Sequence, residues 1–344
     1  MKSPLVSIII PVFNTGKNAV DLATSVLEQQ SSPSAGKFQL ILVDDGSTDD
    51  SLSLLKQLQK TNPDIIVLTQ KNSGSPAGAR NTGLQHATGR YVSFLDSDDS
   101  IDDKFFARML SKIQKTASDL VVCGLKYHRL ADGSVTDVFA SPPVARLPQE
   151  DLPAYVVRLL GNDGRLYGVI NKLFLRSIID QHHLQFDQSI NFGEDLLFVL
   201  GYLRHATSIS FVNEPLYIYH FGTATSTVKN SSLQYANWQQ NWQFLVDWFR
   251  PESQYESDHL GWVKYRWSYA YCLAVCRSDK TGRQKRRLLA VAVADPDLPK
   301  IGRAANIGRS KYLMELVYRA VRITPATLFV FASLAVRVKK VSLS

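Results

Sequence analysis

Three carboxylates crowd the end of one apolar run: Asp96, Asp98 and Asp99 close the segment Gly89–Asp99, GRYVSFLDSDD. Two acids one residue apart on an extended turn can share a hard divalent cation, which takes oxygen ligands. A cation held there can in turn neutralise a diphosphate. A bare D-x-D is common in acidic turns, so its neighbours decide its meaning. A second acidic pair, Asp44-Asp45, runs into Gly46-Ser47-Thr48-Asp49 and by itself is an ordinary strand-to-helix turn. A third, Glu194-Asp195, opens a stretch whose Leu196, Leu197, Leu200 and Leu203 form one helical face. An acid at that place is either a routine first-turn residue favoured by the helix dipole or a proton acceptor for an attacking hydroxyl.

The elements that must position these acids are legible in the first hundred residues. Leu5–Val12 reads as a strand, about Ala19–Gln30 as a helix, and Phe38–Val43 as a second strand. Ser51–Lys60 reads as a helix that Asp49 or Asp50 can cap, Ile65–Thr69 as a strand, and Pro76–His86 as a helix carrying Arg80 and Asn81. Tyr91–Leu95 is a buried strand, short and rich in β-formers. Strands alternating with helices through short connections predict a parallel sheet covered on both faces. Phe13 and Asn14, Asp44 and Asp45, Asn72, then Asp96 and Asp98 fall at successive carboxyl ends, where open α/β sheets bind ligands.

The rest of the composition excludes several classes. At 344 residues, 45% hydrophobic and 20% charged, the chain is long enough for one large or two ordinary domains with a sizeable core. Cys123, Cys272 and Cys276 make no disulfide framework or zinc spacing, which fits a reducing compartment. Leu5–Val12 is too short for a secretion signal.

The segments VSIIIPVFN, LILVDDGSTDDS, NSGSPAGARNTGL and GRYVSFLDSDD resemble the nucleotide-binding half of family-two glycosyltransferases. Asn171-Lys172-Leu173-Phe174 and Gly193-Glu194-Asp195-Leu196-Leu197-Phe198 resemble that family's acceptor-side motifs. The likeness covers roughly residues 4–228 and implies a GT-A fold, an α/β Rossmann-like, mostly parallel sheet with helices on both faces. It further implies a nucleotide-binding half over 1–100 and an acceptor half over 101–228; the tail over 229–344 lies outside the likeness and reads from its own residues as a helical, basic-amphipathic region. On the resemblance, Pro11, Phe13, Asn14, Asp45, Asn72, Arg80 and Asp96 serve the nucleotide: Phe13 stacks on the base, Asp45 accepts from it, and Arg80 meets an anionic group. Asp98, with Asp96, holds Mn2+ or Mg2+, and Asp99 is either a supporting acid or a helix cap. Asp195 is the single base of an inverting transfer, beside Glu194. Asn171 and Lys172 either orient sugar hydroxyls or simply start a strand. Near Tyr217–Thr227 the family carries a basic residue and then hydroxyls; here His220 stands where Arg is commoner, with Thr225 after it. His220 therefore binds phosphate, ligates the metal, or packs.

The charge is unevenly placed. Cys276–Ser344 carries 15 Lys/Arg against 4 Asp/Glu, whereas the rest of the chain is slightly acidic. Ala326–Val336 is an apolar run of 11 residues followed by Arg337, Lys339 and Lys340, too short to span a bilayer, which takes about 20 residues. A basic, apolar-faced helix suits an anionic membrane surface, and the alternative is packing on the catalytic domain or a second subunit. No nucleic-acid-binding signature is present. The expectation is a cytoplasmic enzyme, peripheral on the inner membrane face. It would move a sugar from a UDP-sugar to a lipid-linked or polymeric glycan in cell-surface polysaccharide synthesis. Two rivals are a scaffold that kept the fold and a sugar nucleotidyltransferase. The second lacks its Gly-rich, Arg-containing loop, since Pro11-Val12-Phe13-Asn14-Thr15 stands there. Tail helices rich in Trp238, Trp242, Trp248, Trp262 and Trp267 read as interhelical packing.

Overall fold

The computed structural model describes residues 4–30, 37–138, 152–162, 166–190, 193–221, 235–249, scattered positions between 260 and 278, and 280–293. The chain divides into two compact units, Met1–Ser226 and Thr227–Ser344.

The first unit is built on a nine-stranded sheet. Its strands are β1 (Val6–Val12), β2 (Phe38–Asp44), β3 (Ile66–Thr69), β4 (Tyr91–Phe94), β5 (Ser100–Ile101), β6 (Leu120–Arg129), β7 (Val135–Val138), β8 (Lys172–Leu175) and β9 (Ile209–Phe221). The order is β3-β2-β1-β4-β8-β6-β9-β5, with β7 paired to β6. β3, β2, β1 and β4 run parallel, with Val12 opposite Asp44 and Asp44 opposite Thr69. β1 is buried along its whole length, as a central strand covered on both faces must be; hence its near-continuous apolar run rather than an alternation. Pro11 costs this strand no ladder bond. The Ile9 carbonyl is the last on that edge to accept from β4, through the Leu95 amide, and two residues later Pro11 faces the same edge after β4 has turned away. The polar Ser7 is buried too, but its hydroxyl donates to Gln39 and accepts from the Thr88 and Gly89 amides.

The expected alternation of strands and helices is present, with α1 (Gly16–Gln30), α2 (Ser51–Thr61) and α3 (Pro76–His86) as the crossovers. α1 starts at Gly16 rather than about Ala19. Gly-Lys-Asn carries no apolar stripe, yet Gly16 lies so close to α2 that a Cβ there would sit 2.6 Å from the Ser51 Cα. Tertiary contact, not propensity, winds that first turn. Asp50 makes no side-chain cap on α2; Asp49 Oδ1 instead accepts from the Ser51 amide.

Beyond β4 the sheet changes character. β8 enters antiparallel between β4 and β6, β9 runs parallel to β6, and the two-residue β5 lies antiparallel on β9. α4 (Phe105–Thr116), α5 (Leu152–Asn162), α6 (Arg176–Gln181) and α7 (Glu194–Leu203) belong to this half. Phe94 of β4 meets Phe174, Phe186 and Phe198 edge-on, and Phe186 stacks on Phe198 with centroids 4.1 Å apart. This aromatic core joins β4, β8 and α7. The second unit contains α8 (Tyr235–Phe249) and α9 (Gly282–Val293), with Tyr235, Tyr271, Val275, Leu289 and Ala292 in its core. Trp242 meets Trp267 edge-on, the packing role expected of those indoles. Trp262, Cys272, Cys276 and the apolar run at 326–336 lie outside the described residues.

Asn81 clamps the two halves of the sheet unit together. Its Nδ2 donates to the Phe186 carbonyl and its Oδ1 accepts from the Phe186 amide, both at 2.8 Å and both buried. Asn81→Ala leaves both backbone groups without that partner. It is expected to destabilise the unit by about 2–4 kcal/mol, from roughly 1–2 kcal/mol for each orphaned group. Urea unfolding measures that loss, and faster hydrogen exchange at the Phe186 amide locates it.

Candidate active site

The parallel register brings three strand ends to one rim, and side chains there lock to one another. At the tip of β1, Asn14 takes a left-handed backbone (φ 54°), a conformation Asn tolerates better than most residues. Its Oδ1 accepts from the Thr48 amide and its own amide donates to Ser47 Oγ. Phe13 beside it is 44% exposed, an apolar ring held out to solvent. Asp44 and Asp45 at the end of β2 are both buried. Asp44 accepts from the Ser47 amide and Thr69 Oγ1. Asp45 accepts from Gln70 Nε2 at 2.6 Å and from the amide and hydroxyl of Ser73. Asn72 donates to the Asp45 carbonyl and accepts from the Gly74 amide. The base-reading acid and Asn72 of the sequence analysis thus form one latch across the ends of β2 and β3. Gly46 (φ +74°) is obligatory in it, since a Cβ would lie 2.7 Å from the Asn72 amide nitrogen.

Arg80, on α3, is only 2% exposed. One terminal nitrogen donates to Asp195 Oδ1 at 2.6 Å, the other to Asp96 Oδ1 at 2.7 Å, and Glu194 lies 3.6 Å away. The guanidinium also lies over the Phe186 ring, 5.4 Å from its centroid, a favourable cation–π placement. Burial opposes its charge, but Asp195, Asp96 and Glu194 together hold its pKa above the ordinary value. Arg80, expected from the sequence to meet an anionic ligand, gives its terminal nitrogens to two of the protein's own acids.

Glu194 and Asp195 begin α7 behind Gly193, whose φ of 87° suits glycine. Burial pushes the Asp195 carboxyl up to about 7; Arg80 opposes that rise, Glu194 and Asp96 add to it, and Lys172 opposes it. Glu194 is also raised, by burial first and against the pull of Arg80. A carboxylate near 7 is matched to proton abstraction at neutral pH.

Asp96, Asp98 and Asp99 have separated roles. Asp99 caps no helix, because β5 follows it. Its carboxylate is buried and accepts from the Tyr217 hydroxyl at 2.7 Å and the His220 amide at 2.9 Å, so it braces the acidic loop against β9. Burial, then Asp96 and Asp98, raise it well above the usual carboxylate range. Tyr217 Oη in turn accepts from the Asp96 amide. Asp98 is exposed. No group of three His, Cys, Asp or Glu side chains among the described residues makes a complete metal cage. Asp96 and Asp98 nevertheless fit a hard divalent ion that takes its remaining ligands from substrate and water. They supply oxygen donors and crowd negative charge: partial burial first, and then Asp96, raise the Asp98 carboxyl above its ordinary value.

His220 has both ring nitrogens engaged, Nε2 with Ser100 Oγ and Nδ1 with His128 Nδ1 at 3.1 Å. Burial and then His128 lower its pKa. Asn171 is buried and donates to the Cys123 carbonyl, and Lys172 Nζ donates to the Gly168 carbonyl and Asn171 Oδ1. Both positions anchor the start of β8, and Lys172 lies close enough to affect Asp195. Thr225 lies outside the described residues. Ser73, Gln70, Phe186 and Tyr217 were not singled out from sequence. Tyr217 lay within the segment picked out around His220 and Ser73 within NSGSPAGARNTGL, whereas Gln70 and Phe186 gave no signal beyond turn or core composition.

Residues 7–156 match the family model described as glycosyl transferase family 2. The uncharacterized glycosyltransferase EpsJ of Bacillus subtilis is 30% identical over 216 residues, covering 63% of this chain and 61% of that one. The succinoglycan biosynthesis protein ExoO of Rhizobium meliloti is 29% identical over 220 residues, covering 64% and 61%. The chain thus spans about three-fifths of the length of these curated relatives. Among solved structures, S. aureus TarS 1-349 in complex with UDP-GlcNAc superposes with a TM-score of 0.71 at 19% identity, covering 97% of this chain and 92% of that one. The architecture described above is therefore the GT-A fold, and within it residues 7–156 match the glycosyl transferase family 2 model.

Proposed function

We propose that the protein is a metal-dependent, inverting glycosyltransferase. It moves a sugar from a UDP-sugar to a hydroxyl of a lipid-linked or polymeric glycan in cell-surface polysaccharide synthesis. The observation that carries this reading is the convergence on Arg80 of a donor-side acid, Asp96, and an acid near neutral pKa, Asp195, on one rim of the sheet. The exposed Phe13 ring offers a flat surface for a nucleobase, with the Asp45–Asn72–Ser73 latch behind it. Asp96 and Asp98 would hold Mn2+ or Mg2+, which when bound neutralises charge on the departing diphosphate. Asp195 takes the proton of the acceptor hydroxyl, and one base suffices because the leaving diphosphate needs no protein acid. The setting is supported by ExoO, named for succinoglycan biosynthesis, and the UDP preference by the UDP-GlcNAc held by TarS.

Peripheral membrane contact, on a cytoplasmic face, is the further part of this reading. No helix among the described residues is long and apolar enough to cross a membrane. On α9, Arg283, Arg287 and Val291 are exposed at helical i, i+4, i+8 spacing, while Leu289 and Ala292 are buried. A basic stripe ending in an exposed valine suits an anionic leaflet. A second copy of the chain is the other partner that such a stripe admits.

Calorimetric titration with UDP is expected to show Mn2+-dependent binding, weakened at least about tenfold in Asp98→Ala through loss of a metal ligand. Folded protein that binds no nucleotide with or without metal would sink the transferase reading. With UDP-GlcNAc as the probe donor, UDP release should rise with pH and level off above an apparent pKa of about 7, because Asp195 must be ionised to act. Below that value the rate drops about tenfold per pH unit. Asp195→Asn should keep UDP affinity while release falls by about a hundredfold or more. The full chain should co-sediment with phosphatidylglycerol vesicles and not with phosphatidylcholine ones. Arg283→Gln/Arg287→Gln should weaken that partition about thirtyfold, at about 1 kcal/mol for each basic side chain.

A further inference from the structure

We propose that Arg80 is the positioning residue of the candidate base: its guanidinium ties Asp195 to the donor-side acid Asp96 and fixes the carboxylate's orientation at the start of α7. The inference rests on the reading of Asp195 as proton acceptor, and it departs from the nucleotide contact that the family resemblance assigns to Arg80.

The geometry leaves Arg80 little else to do. Its two terminal nitrogens donate to Asp195 and Asp96 at 2.6 and 2.7 Å. Its Nε is buried with no hydrogen-bond partner among the described residues. The fork is therefore oriented by those two acids and by the Phe186 ring beneath it. A planar guanidinium can span two carboxylates in this way, whereas a lysine ammonium is a single point charge. α3 is itself pinned next door, where Asn81 grips the Phe186 backbone, so the fork is held on a rigid element.

The charged groups facing Asp195 come from every surrounding element: Arg80 from α3, Asp96 from the end of β4, Glu194 from α7 and Lys172 from β8. Burial and the two acids disfavour its ionised form, and the two cations favour it. Removing Arg80 strips away the cation that hydrogen-bonds Asp195 directly. The carboxyl must then titrate higher and lose its fixed direction.

The test follows the Asp195 carboxyl in the full chain labelled with 13C-aspartate, its signal assigned by its absence in Asp195→Asn. Arg80→Gln is expected to raise the titration midpoint by at least about one pH unit, the usual scale for losing an adjacent opposite charge. Arg80→Lys should raise it by about half a unit, restoring part of the effect. UDP affinity with Mn2+, measured by calorimetry, should change by less than about tenfold in Arg80→Lys, because the lysine keeps a cation beside Asp96. If Arg80→Gln does not fold, the lysine variant decides alone, and an unmoved midpoint there overturns the proposal. A fall of more than about tenfold in UDP affinity with the midpoint unmoved returns Arg80 to the nucleotide. Wild-type protein that binds no UDP would instead remove the transferase reading and the base assignment with it, while the midpoints still report on the Arg80–Asp195 bond.

Discussion

A buried guanidinium has to be paired, and in this protein that requirement draws the whole site together. Arg80 lies inside the fold with its charge intact. Leaving such a charge alone would cost several kcal/mol, so acids must come to it. They come from separate parts of the chain: Asp96 from the end of β4, Glu194 and Asp195 from the first turn of α7. The pairing is mutual. The same cation keeps Asp195 from being driven higher still by burial, and leaves it near neutrality rather than fully protonated. An acid poised there can both hold and release a proton at physiological pH.

Around that cluster the supports are mostly backbone hydrogen bonds made by side chains. Asn81 binds both polar groups of Phe186. Asp99 holds the His220 amide and the Tyr217 hydroxyl, and Tyr217 holds the Asp96 amide. Asn72 and Ser73 fix the loop end of β2 through Asp45. Each is a polar group satisfied inside the protein, and each spans elements distant in sequence. Such networks favour one arrangement over its neighbours because any shift strands a buried donor or acceptor. The acids of the acidic loop are consequently unequal. Asp99 braces, Asp96 is shared with Arg80, and Asp98 stays exposed as the acid most open to a cation.

The aromatic core serves the same end by different physics. Phe94, Phe174, Phe186 and Phe198 come from β4, β8, the loop before α7, and α7 itself. Their burial provides a non-directional driving force that joins the parallel half of the sheet to the half beyond β4. Phe186 belongs to both systems, as a core ring and as the surface on which the Arg80 cation rests.

What the sequence determined by itself was local. The strands β1 to β4 and their helices were legible because apolar runs and 3.6-residue stripes are local patterns, and the acids at their carboxyl ends followed from the parallel topology. Phe13, Asp45, Asn72, Asp96, Asp98 and Asp195 could be picked out because whole motifs, not single residues, agreed. Only the tertiary structure decided which acid meets which cation. Arg80 and Asp195 stand 115 residues apart in the chain, and no periodicity connects them. The antiparallel entry of β8 and the two-residue β5 were equally invisible, because so short a strand carries no pattern and is made by its pairing with β9. The role of Asp99 was left open between brace and cap for the same reason: its partners, Tyr217 and His220, arrive from more than a hundred residues away. Local chemistry names the participants, and long-range packing, which balances a buried charge against acids from elsewhere in the chain, assigns their roles.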